Sequence, residues 1–206
     1  LALHITKDGT LEVRAPHALP VSVIEDFIYK KQSWITKKLH EIEQRPIVAK
    51  TYNEEEEFYF LGQSYALYFV ENQKTPLELT DKLCIASRHQ HRAKKLIYAF
   101  YKKESAQYYG LRVQELSRQT GLIPKLIRVS SAQHRWGSCS HKGYINLSWR
   151  LMMAPKPVID YVIIHELVHL QQHNHSRAFW QKVKSIIPDY QTHRNWLKQN
   201  GHLLNI

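Results

Sequence analysis

His165, Glu166 and His169 stand in the run Tyr161-Val162-Ile163-Ile164-His165-Glu166-Leu167-Val168-His169-Leu170 and form an H-E-x-x-H. On an α-helix, residues four apart lie about 40° apart around the axis, so both imidazoles leave from one face. Two such nitrogens can chelate one zinc ion. Glu166, about one turn back from His169, then reaches a water on the open side of the metal. Context separates this pattern from an accident in a chain with 13 histidines. Val162, Ile163, Ile164, Leu167, Val168 and Leu170 surround the polar triplet, which predicts a helix buried on most sides. An unpaired carboxylate and two imidazoles are costly there, and a metal removes the difficulty.

Catalytic zinc usually takes three protein ligands and keeps one position open. His173, His175 and His193 are the candidates for the third. His173 falls at the expected end of the helix. His175 follows Asn174, a turn residue, and precedes Ser176, which reads as the N-cap of a helix from Arg177 to Ile187. A ligand in that corner swings back over the metal face, so His175 is favoured. Glu is absent after Glu166 and the only later Asp is Asp189, which favours an all-His site.

Several separated motifs occur together: Arg135-Trp136-Gly137-Ser138-Cys139, Ile145-Asn146-Leu147-Ser148-Trp149-Arg150, the H-E-x-x-H, Asn174-His175-Ser176, Phe179-Trp180 and Pro188-Asp189-Tyr190. In that order they resemble the YgjP-like metallopeptidase family, a zincin branch related to the SprT-like and Wss-type metalloproteases. The resemblance covers most of the chain and is strongest from Arg128 to Tyr190. It implies His165, His169 and His175 as zinc ligands and Glu166 as the catalytic base.

The elements that must position these residues divide the sequence in two. Residues 1–90 read as a small mixed α/β region and 91–206 as a zincin-like domain, giving an α+β chain. In the first part, Leu3 to Ile5 and Leu11 to Arg14 form short strands around a Lys7-Asp8-Gly9 turn. Ser22 caps one amphipathic helix running to Glu43, carrying Ile24, Phe27, Ile28, Trp34, Ile35, Leu39 and Ile42, with Pro46 beyond its end. Phe58 to Phe60 and Tyr65 to Val70 form a hairpin, and Leu77 to Ile85 adds strand. In the second part a long helix runs from His91 to Gln119 and stops at Thr120-Gly121. A strand from Ile127 to Gly137, a turn at Ser140 to Gly143 and a return strand from Tyr144 to Leu151 lead to the Pro155-Lys156-Pro157 break before the metal helix.

The predicted strand pair has its own chemistry. A sheet edge beside a zincin cleft accepts an extended substrate as a further strand. Gly137 permits close backbone approach, and Arg135, Trp136 and Asn146 are the candidate substrate-contacting residues. Tyr144, His134 and Arg135 are candidate oxyanion donors. Cys139 reads as a buried thiol, with metal ligation as the lesser alternative.

The chain has 206 residues, enough for a sizeable core, and 43% hydrophobic content, ordinary for a globular protein. No apolar run approaches the roughly 18 residues of a membrane span, so no membrane partner is expected. Two cysteines and no basic-then-apolar leader suggest a reducing, cytoplasmic setting. The first residue is Leu, which suggests a trimmed start. A net charge of +11 attracts anionic partners, nucleotide or nucleic acid among them.

The predicted chemistry is metal-assisted hydrolysis: a zinc-bound water attacks a carbonyl of a peptide or protein substrate and Glu166 takes the proton. The same water suits a phosphoanhydride, so a metal-dependent nucleotide phosphohydrolase is the alternative. The absence of a Gly-rich phosphate loop speaks against it. A nucleic-acid-associated protease or adaptor is the third reading.

Overall fold

The computed structural model describes residues 1–6, 9–43 and 49–206, without the side chains of residues 41–43. Lys7 and Asp8 of the expected turn, the Ile42 side chain and Pro46 lie outside the described residues.

The first compact unit is Leu1–Ala49. Strands β1 (Ala2–Ile5) and β2 (Leu11–Arg14) pair antiparallel, with Ala2 opposite Arg14. The expected single helix is two, α1 (Val21–Lys30) and α2 (Gln32–Glu43). Lys31 separates them: its N–H bonds to Ile28 and Tyr29, closing the last turn of α1. The first helix starts at Val21 after Pro20, and Ser22 is not its cap. Apolar spacing continues across the break and conceals it.

Everything from Lys50 to Ile206 forms the second unit, so the boundary falls at residue 49 rather than near residue 90. The reason is the core. Phe58, Leu67, Leu83 and Ile85 are buried in the same apolar cluster as Ile97, Leu147 and Ile163. These strands are β3 (Glu57–Phe60), β4 (Gln63–Val70), β5 (Leu77–Leu79) and β6 (Leu83–Ala86), in the order β3-β4-β6-β5. The stretch from Leu77 to Ile85 is thus two antiparallel strands rather than one.

A 3₁₀ turn, Ser87–Arg92, leads into the long helix α3 (Ala93–Thr120). Ala93, Ile97, Tyr101, Ser105, Tyr109, Val113 and Ser117 are buried at four-residue intervals, which gives this helix one inward stripe. Gly121 takes φ +73° and closes its end. Three strands follow: β7 (Leu126–Ser130), β8 (Gly137–Cys139) and β9 (Tyr144–Ser148). Their order is β7-β9-β8, with β7 parallel and β8 antiparallel to β9. The expected strand from Ile127 to Gly137 therefore breaks, and residues 131–136 form a loop that carries β8 to the far side of β9. The return strand stops at Ser148, where a 3₁₀ helix, Trp149–Met153, takes over.

The helix that carries His165 and Glu166 is α4 (Lys156–Val168), and α5 (Arg177–Ile186), α6 (Tyr190–Asn200) and a 3₁₀ turn, Gly201–Leu203, follow. Arg112 of α3 donates from Nε and Nη2 to the two Asp160 carboxylate oxygens, each at 2.7 Å, and clamps α3 to α4. The Tyr109 hydroxyl donates to the Ser148 carbonyl at 2.8 Å and ties α3 to the end of β9. The fold is α+β. No helix among the described residues is long and apolar enough to cross a membrane.

Candidate metal centre

Nine residues of α4 are buried, on all sides of the helix, including Val162, Ile163, Ile164, Leu167 and Val168. His165 projects from its last turn. His169 is its C-cap and keeps a right-handed helical backbone (φ −63°), so the i, i+4 pairing survives the helix end. The chain then turns sharply. The Asn174 side-chain oxygen accepts the Ser176 N–H at 3.3 Å, and Ser176 Oγ accepts the Phe179 N–H at 3.4 Å. That corner returns His175 to the first two rings.

One nitrogen from each of His165, His169 and His175 lies within 4.8 Å of the others. Phe179 forms their common floor, its ring 4.5–4.8 Å from all three imidazoles. Trp180 stacks on His175 at 5.7 Å, and Arg194 covers the other reach of Trp180 at 4.8 Å. His173 pairs its ring with His141 at 4.4 Å, and His193 sits 3.3 Å from Asp189. Neither joins the triad.

The triad fits a divalent cation on three observations. His169 Nδ1 lies 2.8 Å from the Gln172 carbonyl, which fixes a proton there and leaves Nε2 as a lone pair. Nε2 atoms of His165 and His175 face each other at 3.0 Å. His165 Nδ1 is buried with no hydrogen-bond partner. Burial, then the neighbouring His169 and His175 and the charge of Arg194, hold His165 down to about 3. His175 is lowered by burial, His169 and Arg194. Convergent rings, with His165 and His175 biased toward the neutral form, are ready ligands.

Glu166, the residue after His165, packs against β8. It is 5% exposed, and a Cβ added at Gly137 would meet its Oε1 at 2.5 Å and its Cγ at 2.6 Å. Only glycine leaves room for the carboxylate on that strand. Burial raises Glu166 to about 8, with Arg135 opposing. Cys139 is raised to about 11 by burial and by Glu166; it stands outside the His triad as a protonated thiol.

The other predicted residues separate. Arg135 is exposed on the loop before β8, and its charge reaches Glu166. Trp136 packs away from the triad, 2.8 Å from where a Gly201 Cβ would stand. Asn146 Nδ2 donates to Ser138 Oγ at 3.3 Å and braces the β8–β9 hairpin. His134 is exposed in the loop, and Tyr144 lies under Arg128 at 5.7 Å. Sequence reasoning misses two residues. Tyr161, one turn before His165, brings its ring to 6.0 Å from that imidazole; the i, i+4 spacing could have found it. Arg194 acts on both His165 and His175 from α6, and no local pattern announces it.

A family model described as "YgjP-like, metallopeptidase domain" matches residues 1–200. The UTP pyrophosphatase of Escherichia coli (strain K12) is 28% identical over 95 residues, which are 44% of this chain and 54% of that protein. The chain thus matches about half the length of this curated relative. Among solved structures, the metallopeptidase zymogen of Pyrococcus abyssi abylysin is similar over 42% of this chain and 90% of that one, at 23% identity and a TM-score of 0.38.

Proposed function

The chain belongs to the YgjP-like metallopeptidase family and is a metal-dependent hydrolase, and from that premise we propose that it hydrolyses peptide bonds with zinc held by His165, His169 and His175. The observation that carries this reading is the packing of Glu166 on the edge strand β8. Backbone groups of Trp136 and Ser140 bond to Ser148 and Tyr144 across the hairpin. Alternation along β8 turns those of Gly137 and Cys139 to the free edge. An extended peptide added there would pass directly over the carboxylate.

A bound zinc ion supplies Lewis acidity and acidifies a coordinated water toward neutrality. Glu166 takes a proton from the attacking water at a carboxylate oxygen and delivers it to the leaving nitrogen. Arg135 favours the ionised form of that carboxylate, the form a base requires. Phe179 and Trp180 hold the imidazoles in place and exclude water from their lower side. Arg135, whose charge reaches Glu166, is also the donor assigned to negative charge developing on the substrate. Free Cys84 and Cys139 support a reducing, cytoplasmic setting.

The relative named as a UTP pyrophosphatase supports a second reading, attack on a phosphoanhydride at the same centre. One experiment separates the two. The zinc-loaded chain is incubated with a fluorescein-labelled unfolded protein and, separately, with UTP. The peptidase reading expects cleavage of the protein, a loss of about 10²–10⁴-fold in Glu166→Gln, and metal retained in that variant. Pyrophosphate release from UTP with no protein cleavage, lost in Glu166→Gln, replaces the first reading with the second. Protein cleavage undiminished in Glu166→Gln removes the assigned base.

A further inference from the structure

A second polar concentration lies at the start of α3. An open cavity of about 510 Å³ is lined by Arg92, Lys94, Lys95, Tyr98, Trp149 and Arg150 among others, Ile206 included, and no Asp or Glu is among its lining residues. That volume is in the range of ligand sites. The first turn of α3 contains no acidic residue. Lys94 and Lys95 stand instead where the helix macrodipole disfavours cations. Arg92, Lys94 and Lys95 have no ion-pair partner among the described residues. These charges are gathered at a cost, and no Asp or Glu side chain among the described residues pairs with them.

The inner wall is more fixed. Arg150 donates from Nη1 to the Ser131 carbonyl at 3.2 Å, and its guanidinium lies 4.4 Å over the Trp149 ring. Trp149 is 1% exposed, and its indole Nε1 is buried without an acceptor. An anion in this cavity would meet a positioned guanidinium backed by adjustable lysines.

The cation row also leaves the cavity. On the 3.6-residue period Lys95, Tyr98 and Lys102 share one face of α3, and Arg92 stands at its N-cap. Lys102 Nζ sits 5.5 Å from the Tyr98 ring. From Arg92 to Lys102 the helix rises about 15 Å, several nucleotide steps rather than one. The net charge of +11 would draw a polyanion toward this face. We propose that the cavity and the α3 row bind the phosphates of a single-stranded nucleic acid.

The test is fluorescence anisotropy of a labelled oligothymidylate of about 15 nucleotides with the full, metal-loaded chain. Salt is varied from about 50 to 200 mM. The triple change Arg92→Glu, Lys95→Glu, Lys102→Glu is compared with Lys125→Glu, Lys142→Glu, Lys184→Glu, which alters net charge equally. The proposal expects binding by the wild type and at least about tenfold weaker binding in the first triple. The log–log salt slope should be shallower there by about 2, since each phosphate neutralised on a single strand adds about 0.7 to it. The second triple should bind as the wild type does. No wild-type binding at low salt would overturn it. Equal weakening in both triples would reduce it to net charge and overturn the site. UTP binding as tightly as the strand would overturn the strand assignment. These outcomes do not depend on whether the metal centre cuts peptides.

Discussion

The candidate metal centre around α4 and the cation row on α3 are both places where described polar groups are left unmatched, yet they are built differently. Around His165, His169 and His175 the side chains are short and stiff, and each ring rests on Phe179 at 4.5–4.8 Å. Gly137 gives Glu166 no slack at all. Along α3 the charges sit at the ends of long, exposed side chains, with Arg150 alone fixed by stacking and a carbonyl. The first arrangement selects by geometry. The second selects by charge, which tolerates displacement of any one group. Disturbance should therefore be all-or-none in one region and graded in the other.

The sharpest break is His165→Ala. It removes one of the three proposed ligands and leaves His169 and His175 as a pair without a third donor. Zinc of about one per chain in the wild type should fall to near background, measured on protein purified without chelator. Retention of full zinc would mean that the metal is held elsewhere. Gly137→Ala is the next largest. Position 137 lies outside the left-handed backbone region, so alanine is sterically allowed by the main chain and the penalty falls on Glu166. Displacing the carboxylate by about an ångström should cost on the order of 10²-fold in kcat. Zinc content should be unchanged, and unchanged kcat would show that the carboxylate can settle elsewhere without harm.

The metal-free protein offers a pH test of the same rigidity. Glu166 ionises near 8 in the fold but near 4.5 when unfolded, so the native state holds the extra proton between those values. Stability from this group falls as pH rises through that window. His165 runs the other way: it is charged below 6.5 when unfolded and only below about 3 when folded, so its contribution rises with pH up to 6.5. The two oppose each other from 4.5 to 6.5, and above 6.5 only Glu166 acts. The Tm of zinc-free protein should drop between pH 6.5 and 8, and Glu166→Gln should flatten that drop. An equal drop in the variant would assign it to another group.

The contrast also explains what can be read from the sequence. His165, Glu166, His169 and the Asn174-His175-Ser176 corner are legible because helix period and capping chemistry act over a few residues. The long helix is legible from its apolar spacing, with its Gly121 end. The crossing of residues 131–136, which sends β8 to the far side of β9, is not, because it is set by strand pairing between separated segments. The role of Gly137 depends on that crossing, so the sequence suggests a substrate approach where the structure shows Glu166. Arg194 and the α3 cavity share that reason. Their partners come from chain segments far away, the cavity from α3, Trp149 to Arg150, and Ile206. The break at Lys31 is hidden because a tightened turn needs no glycine or proline.

The smallest effect belongs to the α3 row and tests the graded half of the comparison. Lys95→Gln keeps a polar, hydrogen-bonding side chain, one bond shorter, and removes one charge from the cavity rim. If charge alone selects the ligand, about one phosphate goes without its cation, and the log–log salt slope should become shallower by about 0.7. Affinity at moderate salt should weaken only a few-fold, on the order of 1 kcal/mol. Arg150→Gln removes the one cation that the fold holds in place, and in a purely charge-selected site it should cost no more than Lys95→Gln. The two variants measured side by side by anisotropy settle which kind of site this is. A deficit in Arg150→Gln far beyond that in Lys95→Gln would show that the cavity, like the metal centre, depends on a positioned group, and the division between the two regions would fail.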